Sequence, residues 1–366
     1  MTPEAAILGR ALSGDRSWES TAGWDVAALI AAADEHGVSA LMWQALGEPG
    51  GTVRPLYDAL TPRVRAAVTR DLFIKRDMQV VLEALATAGV RALVIKGSAL
   101  AYTVYPSPWL RPRTDTDLLV SFGDVPAATQ ALESCGYARS DALTSGTLVS
   151  HQIAFERVDA HDVHHVVDLH WKIVNPQILA DSLPFEDLWQ TAQPAPSLGP
   201  AARVPSAVKS IALGCIHRLA HHQGHDRLVW LFDLRLLTDP FCDADWEALT
   251  QLACQGGIAG LCLDGLRQSR DRLGSRLPEV VEATLAMSAP DEPSRVYLQG
   301  IVHKRDVLVS DLNALGDWRS RLRLLREHAF PPAAFIRQRY GVDNPWPLPA
   351  LYLHRVVSGA FRWVRP

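Results

Sequence analysis

Three acidic residues and one Lys-Gly-Ser step are the parts of this sequence that could do chemistry. Asp115-Thr116-Asp117-Leu118-Leu119-Val120 reads as a strand, and on a strand alternate residues face the same way. Asp115 and Asp117 therefore share a face, about 6.6–7 Å apart along the chain. Two carboxylates there repel, by about 4 kcal/mol if they close to about 4 Å at an effective dielectric near 20. A divalent cation relieves the repulsion, and hard oxygen ligands favour Mg²⁺ or Mn²⁺ over zinc. Val166-Val167-Asp168-Leu169-His170-Trp171 supplies a third acid on an apolar strand, where an unpaired carboxylate is costly. Asp168 shares its face with Val166 and His170, so His170 either orients the site or is a packed, hydrogen-bonded histidine.

The Lys-Gly-Ser step lies upstream, in Val94-Ile95-Lys96-Gly97-Ser98. A strand that ends here and enters a helix presents free backbone N–H groups at the helix N-terminus, a ready phosphate site. Gly97 permits close backbone approach, and the Ser98 hydroxyl can donate to a phosphate oxygen. Gly-Ser alone is an ordinary turn, and Asp-x-Asp alone an ordinary strand end; their occurrence in this order is what points to a phosphate and a metal. Lys96 either contacts the phosphate or is a strand-end lysine that snorkels.

Positioning these residues requires a short sheet between helices. Residues 1–89 read as a helical region, with apolar residues at helical spacing from Val26 to Leu46 and again through Val64, Val68, Leu72, Met78, Leu82 and Leu85. From Val90 the period changes: a short apolar run to Ile95, a helix, the Asp115–Val120 strand, a helix from Asp124 to Cys135, then two strand-like runs joined by a turn-rich link. Residues 90–192 are thus an α/β or α+β unit. Gln193-Pro194-Ala195-Pro196-Ser197-Leu198-Gly199-Pro200 opens a linker over 193–206, and residues 207–366 read as a helical domain.

Composition bounds the rest. A chain of 366 residues suggests roughly two domains. With 48% hydrophobic and 21% charged residues and a formal charge of −4, it has no broadly basic surface for nucleic acid. Thirty-one arginines stand against five lysines. Five cysteines form an odd set without CxxC, which suits reduced thiols and a cytoplasmic protein. No signal-peptide pattern opens the sequence and no 18-residue apolar run crosses a membrane.

In order and spacing, Ile95-Lys96-Gly97, Arg111-Pro112-Arg113-Thr114-Asp115-Thr116-Asp117-Leu118-Leu119-Val120 and Asp168-Leu169-His170-Trp171 resemble a family of largely uncharacterised bacterial nucleotidyltransferases, of the polymerase-beta-like superfamily. The resemblance implies an α+β fold: a small mixed β-sheet core flanked by an N-terminal helical region and a C-terminal helical domain. It implies a metal-dependent transfer of a nucleoside monophosphate from a nucleoside triphosphate such as ATP to a hydroxyl-bearing acceptor, with release of pyrophosphate. Asp115 and Asp117 would hold two ions and Asp168 would complete the one that activates the acceptor hydroxyl. Gly97 and Ser98 would cradle the β- and γ-phosphates, with Lys96, Arg111 and Arg113 as countercharges. Sixteen residues separate Ser98 from Asp115, somewhat more than the superfamily's usual gap, which bears on Arg111 and Arg113. The acceptor, whether protein, peptide, sugar or small molecule, stays open, and nothing resembles a groove for a nucleic-acid template.

Two other readings compete. A degenerate fold would act as a silent nucleotide-binding or antitoxin-like module, but such proteins usually lose one carboxylate and here all three are present. The histidine-rich stretch from His217 to Asp226 invites comparison with metal-dependent phosphohydrolases. His217 and His221 stand at i, i+4 and share a helix face, yet a zinc site needs at least a third protein ligand. They read otherwise as histidines on the acceptor side of the cleft or as packed residues. Asp233, on an apolar helix, is expected to pair with Arg235 or a nearby histidine.

Overall fold

The computed structural model describes residues 2–20, 23–47, 50–140, 146–222, 226–298, 304–342, 344 and 346–364, with the side chains of residues 20, 221, 304, 338, 357 and 359–364 left undescribed. The fold is α+β, with a small mixed sheet and helices at both ends. The first four helices are α1 (Pro3–Ser13), α2 (Val26–Glu35), α3 (Ser39–Leu46) and α4 (Arg54–Thr87). Caps set their starts: the Thr2 hydroxyl accepts from the Ala5 N–H at 3.2 Å, and the Asp25 carboxylate from the Ala28 N–H at 2.9 Å.

The sheet comprises β1 (Ala92–Ile95), β2 (Thr116–Val120), β3 (Ala138–Arg139), β4 (Gln152–Val158) and β5 (His164–His170), in the order β1-β2-β5-β4-β3. Helix α5 (Lys96–Thr103) follows β1 and α6 (Val125–Ser134) follows β2. Only β2 and β5 run parallel among these pairings; the other neighbours are antiparallel. β1 and the Leu118–Val120 part of β2 are apolar without alternation because both faces are buried there. Leu93, Ile95 and Leu119 point into a core shared with the helices of both ends, whereas Val94, Leu118 and Val120 point into a second core under α4 and α6.

The 34-residue α4 belongs to both cores. Leu56, Leu60 and Val64 pack in the first, and Ile74, Met78, Val81, Leu82 and Leu85 in the second. Around the crossover the inward face carries Asp71, before Ile74, and Asp77, just after it, both buried, while Val68 and Leu72, read from the sequence as part of the stripe, face solvent. Carboxylates hold the crossover because arginines reach them: Arg113 pairs with Asp71 and Arg157 with Asp77.

Beyond the sheet come α7 (Gln177–Ala180) and α8 (Phe185–Gln190). The proline-rich segment that follows is packed locally as β6 (Gln193–Pro194) against β7 (Arg203–Val204), with Ala195, Leu198, Ala202 and Val204 in the second core. Then α9 (Ala207–His222), α10 (Leu228–Thr238), α11 (Asp243–Gln255), α12 (Ala259–Leu273) and α13 (Glu279–Ser288) build the helical side of the first core. The remaining helices are α14 (Lys304–Ala314), α15 (Trp318–Ala329), α16 (Ala333–Tyr340) and α17 (Leu348–Val364). Among the described residues no helix is long and apolar enough to cross a membrane.

Two measurements probe this packing. Phe155 is fully buried on β4, so Phe155→Ala should lower unfolding free energy by about 3–5 kcal/mol in urea denaturation. On α14, buried Asp311 accepts the Gln177 N–H at 2.7 Å, and burial pushes its carboxyl up to about 6. Its folded pKa lies above the unfolded value, so its contribution to stability is present below about pH 4 and is lost as pH rises through about 6. Asp311→Asn keeps an acceptor, and denaturation across pH 4–7 should show that part of the profile flattened.

Candidate active site

β2 and β5 place the acids. In their parallel register Asp117 lies opposite Asp168, so two carboxylates from adjacent strands project to one side of the sheet. On the next strand Ala154 is the partner of Asp168, and Gln152 Nε2 donates to Asp168 Oδ2 at 3.1 Å. β1 ends opposite the same point, Ile95 pairing with Asp117. The chain turns there at Lys96, whose φ of 55° is in the left-handed region, a conformation that costs a non-glycine residue about 1 kcal/mol or more. Its ammonium offsets that strain by donating to Asp117 Oδ1 at 2.7 Å.

His170 completes the cluster: its Nε2 lies 2.9 Å from Asp117 Oδ1 and 3.4 Å from Lys96 Nζ. Burial and the neighbouring ammonium push this imidazole down to about 4, so it is neutral near pH 7 and its Nε2–H donates to Asp117. Burial alone would raise Asp117, but Lys96 and His170 outweigh it and hold the carboxyl well below the usual range. Asp168 shows the opposite: burial, then repulsion from Asp117 and Asp115, pushes it up to about 7. Asp115, just before β2, is likewise raised by burial and by Asp117. Among the described residues, Asp117, Asp168 and His170 are the set whose ligand atoms converge, all within 4.8 Å of one another. The Asp117 and Asp168 carboxylate oxygens are donors that fit a divalent cation, and His170, with its Nε2–H on Asp117, orients the first of them.

These acids open into a cavity of about 460 Å³ between the sheet and the C-terminal helices. Lys96, Gly97, Arg111, Arg113, Asp115, Asp117, Asp168 and His217 from the sequence reading all line it. Ser98 and His170 are buried behind it, and the Ser98 hydroxyl donates to the Asp115 carbonyl at 3.3 Å. The side chain of His221 and residues 223–225, which include His225, lie outside the described residues. Asp226 of the histidine-rich stretch takes Arg218, at 2.7 and 2.8 Å.

The two arginines of the long loop are engaged. Arg111 donates from Nε and Nη2 to Asp233 at 2.8–3.1 Å and from Nη1 to the Pro112 carbonyl at 2.6 Å. Tyr105 adds a hydroxyl to Asp233 at 2.7 Å. Asp233 thus pairs with Arg111 rather than with Arg235, which donates to the carbonyls of Leu12 and Leu273. Arg113 binds Asp71 and the Tyr102 hydroxyl, while its buried Nε–H has no partner among the described residues.

Gln152, Arg227 and Trp230 also line the cavity and escaped the sequence reading; His222 lines it too, from the histidine-rich stretch which that reading already set beside the cleft. Gln152 follows directly from the antiparallel pairing of β4 with β5, since its strand flanks Asp168; the other three depend on how α9 and α10 dock. The Arg111–Asp233 pair is buried at both ends. Breaking it leaves an uncompensated charge, so Asp233→Ala should cost about 3–5 kcal/mol in chemical denaturation.

A search of the curated proteins finds no match. A model of the family described as uncharacterised nucleotidyltransferase matches residues 22–274, more than half of the chain. The match spans the Lys96–Gly97 turn, the Asp115-x-Asp117 strand, Asp168 and the helices carrying His217 and Asp233. The chain belongs to the uncharacterised nucleotidyltransferase family.

Proposed function

We propose that this nucleotidyltransferase moves a nucleoside monophosphate from a nucleoside triphosphate to a hydroxyl of a protein, peptide or small molecule, without a nucleic-acid template. The carrying observation is the Asp117–Asp168 register pair, with His170 behind it, at the wall of a cavity that also holds Lys96 and Asp115. Asp115, Asp117 and Asp168 would hold Mg²⁺, or Mn²⁺, with His170 orienting Asp117. When bound, the ion supplies charge to stabilise the transferring phosphoryl group and lowers the pKa of the attacking hydroxyl.

The chain's own residues divide the remaining work. Lys96 and the backbone N–H groups at the start of α5 face the β- and γ-phosphates, with Arg113 as a further positive charge in the same lining. Arg111 acts through its geometry, fixing the loop that delivers Asp115. The acceptor oxygen forms a bond to the α-phosphorus, the bond to the β-bridging oxygen breaks, and pyrophosphate leaves with the electron pair. Asp168 Oδ1, the oxygen not engaged by Gln152, takes the hydroxyl proton. On this reading the catalytic unit lies in residues 90–192, between helical regions 1–89 and 207–366 and with 193–206 as the connection.

Each α-labelled nucleoside triphosphate, incubated with Mg²⁺ or Mn²⁺ with and without lysate, tests the reaction. Wild-type protein should label an acceptor, and Asp117→Asn should reduce labelling by about 100-fold or more, because changes outside the ligand set already cost 10–100-fold. Equal labelling by both proteins would refute the chemistry.

A further inference from the structure

The far wall of the cavity is aromatic. Helix α9 turns Ser210, Leu213, Gly214 and His217 toward it, at the i, i+3, i+4, i+7 spacing of one helix face. Beside His217 stand His222 and, from α10, Trp230. The His222 and Trp230 rings lie 4.2 Å apart between centroids and 33° from parallel, with His217 at 5.0 Å from His222 and 6.1 Å from Trp230. All three rings are half-buried. A core cluster would be closed over; this one borders the same space as Asp117 and Asp168.

A cation belongs to the wall. The Arg227 guanidinium lies over Trp230 at 5.8 Å from the ring centroid. Its Nε donates to the Glu35 carbonyl at 2.8 Å, and among the described residues it forms no ion pair. Arg111, Arg113 and Lys96 each have a carboxylate. Burial and then the charges of Arg227 and Lys96 lower the His222 imidazole, so this wall stands within electrostatic reach of the lysine that faces the acids.

The geometry points to the Trp230–His222–His217 wall, with Arg227, as the subsite that stacks the nucleobase of the triphosphate. This deepens the proposed reaction and rests on it. A nucleotide needs a π-face for its base and cations for its phosphates, and the lining of this one cavity offers both. The cavity volume of about 460 Å³ is that of a small-molecule site.

Titration calorimetry with Mg²⁺ and the α,β-methylene analogues of ATP, GTP, CTP and UTP, beside inorganic tripolyphosphate, tests the assignment without turnover. Trp230→Phe keeps a ring and Trp230→Leu keeps bulk without one. Wild type and Trp230→Phe should bind at least one analogue more tightly than tripolyphosphate. Trp230→Leu should weaken that analogue by about 5- to 150-fold, the range that base–aromatic stacking carries, with tripolyphosphate affinity unchanged. Unchanged analogue affinity in Trp230→Leu, or equal weakening of analogue and tripolyphosphate, would overturn the subsite and leave the reaction standing. Failure of wild type to bind any analogue would overturn both.

Discussion

Two carboxylates set directly opposite each other on parallel strands, where the sheet meets the cavity, are the constraint that the surrounding structure answers. Asp117 and Asp168 cannot move apart without breaking the β2–β5 register, so charge must come to them. Lys96 brings it from the end of β1 through a left-handed turn, His170 donates from β5, and Gln152 donates from β4. The two acids consequently end in different states: Asp117 is held ionised by its donors, and Asp168 is pushed toward neutrality by its neighbours. An asymmetric pair is what a site needs if one group is to anchor and the other is to exchange a proton.

The same solution to buried charge recurs three times away from the acids. Asp71 joins Tyr102 and Arg113, Asp77 joins Tyr137 and Arg157, and Asp233 joins Tyr105 and Arg111. In the first two the guanidinium also lies over the tyrosine ring, at 4.8 and 5.3 Å. Arginine can do this because its planar fork meets a carboxylate edge-on while its face covers an aromatic ring; lysine cannot. Part of the arginine excess therefore has a structural use inside the molecule, where the sequence alone suggested countercharges for a ligand.

How far the sequence discloses this follows from the range of the forces involved. Strand and helix periods are local, so β1, β2, β4, β5 and the helices between them are legible, as is the order of Lys96, Asp115, Asp117 and Asp168. Burial of charge is not local. The inward face of α4 reads as an interrupted apolar stripe because two of its members are acids whose arginine partners lie 42 and 80 residues away. Local sequence offers Asp233 only Arg235 or a nearby histidine, whereas its partner comes from the loop before β2, 122 residues upstream. The two-residue β3 and the β6–β7 ribbon are too short to carry a period. Nor can spacing reveal that rings from α9 and α10 meet across from the acids, since that depends on docking.

The Arg111–Asp233 contact joins the loop that leads into β2 to a helix of the C-terminal half, with Tyr105 on the same carboxylate. Spreading the two halves apart would separate that pair and part the apolar side chains of the core they share, Leu93, Ile95 and Leu119 with Leu213, Leu234 and Leu237. The walls of the cleft are therefore assembled together with the core. The entropy of bringing sheet and helices together has been met in folding, so it is not charged again to each binding event.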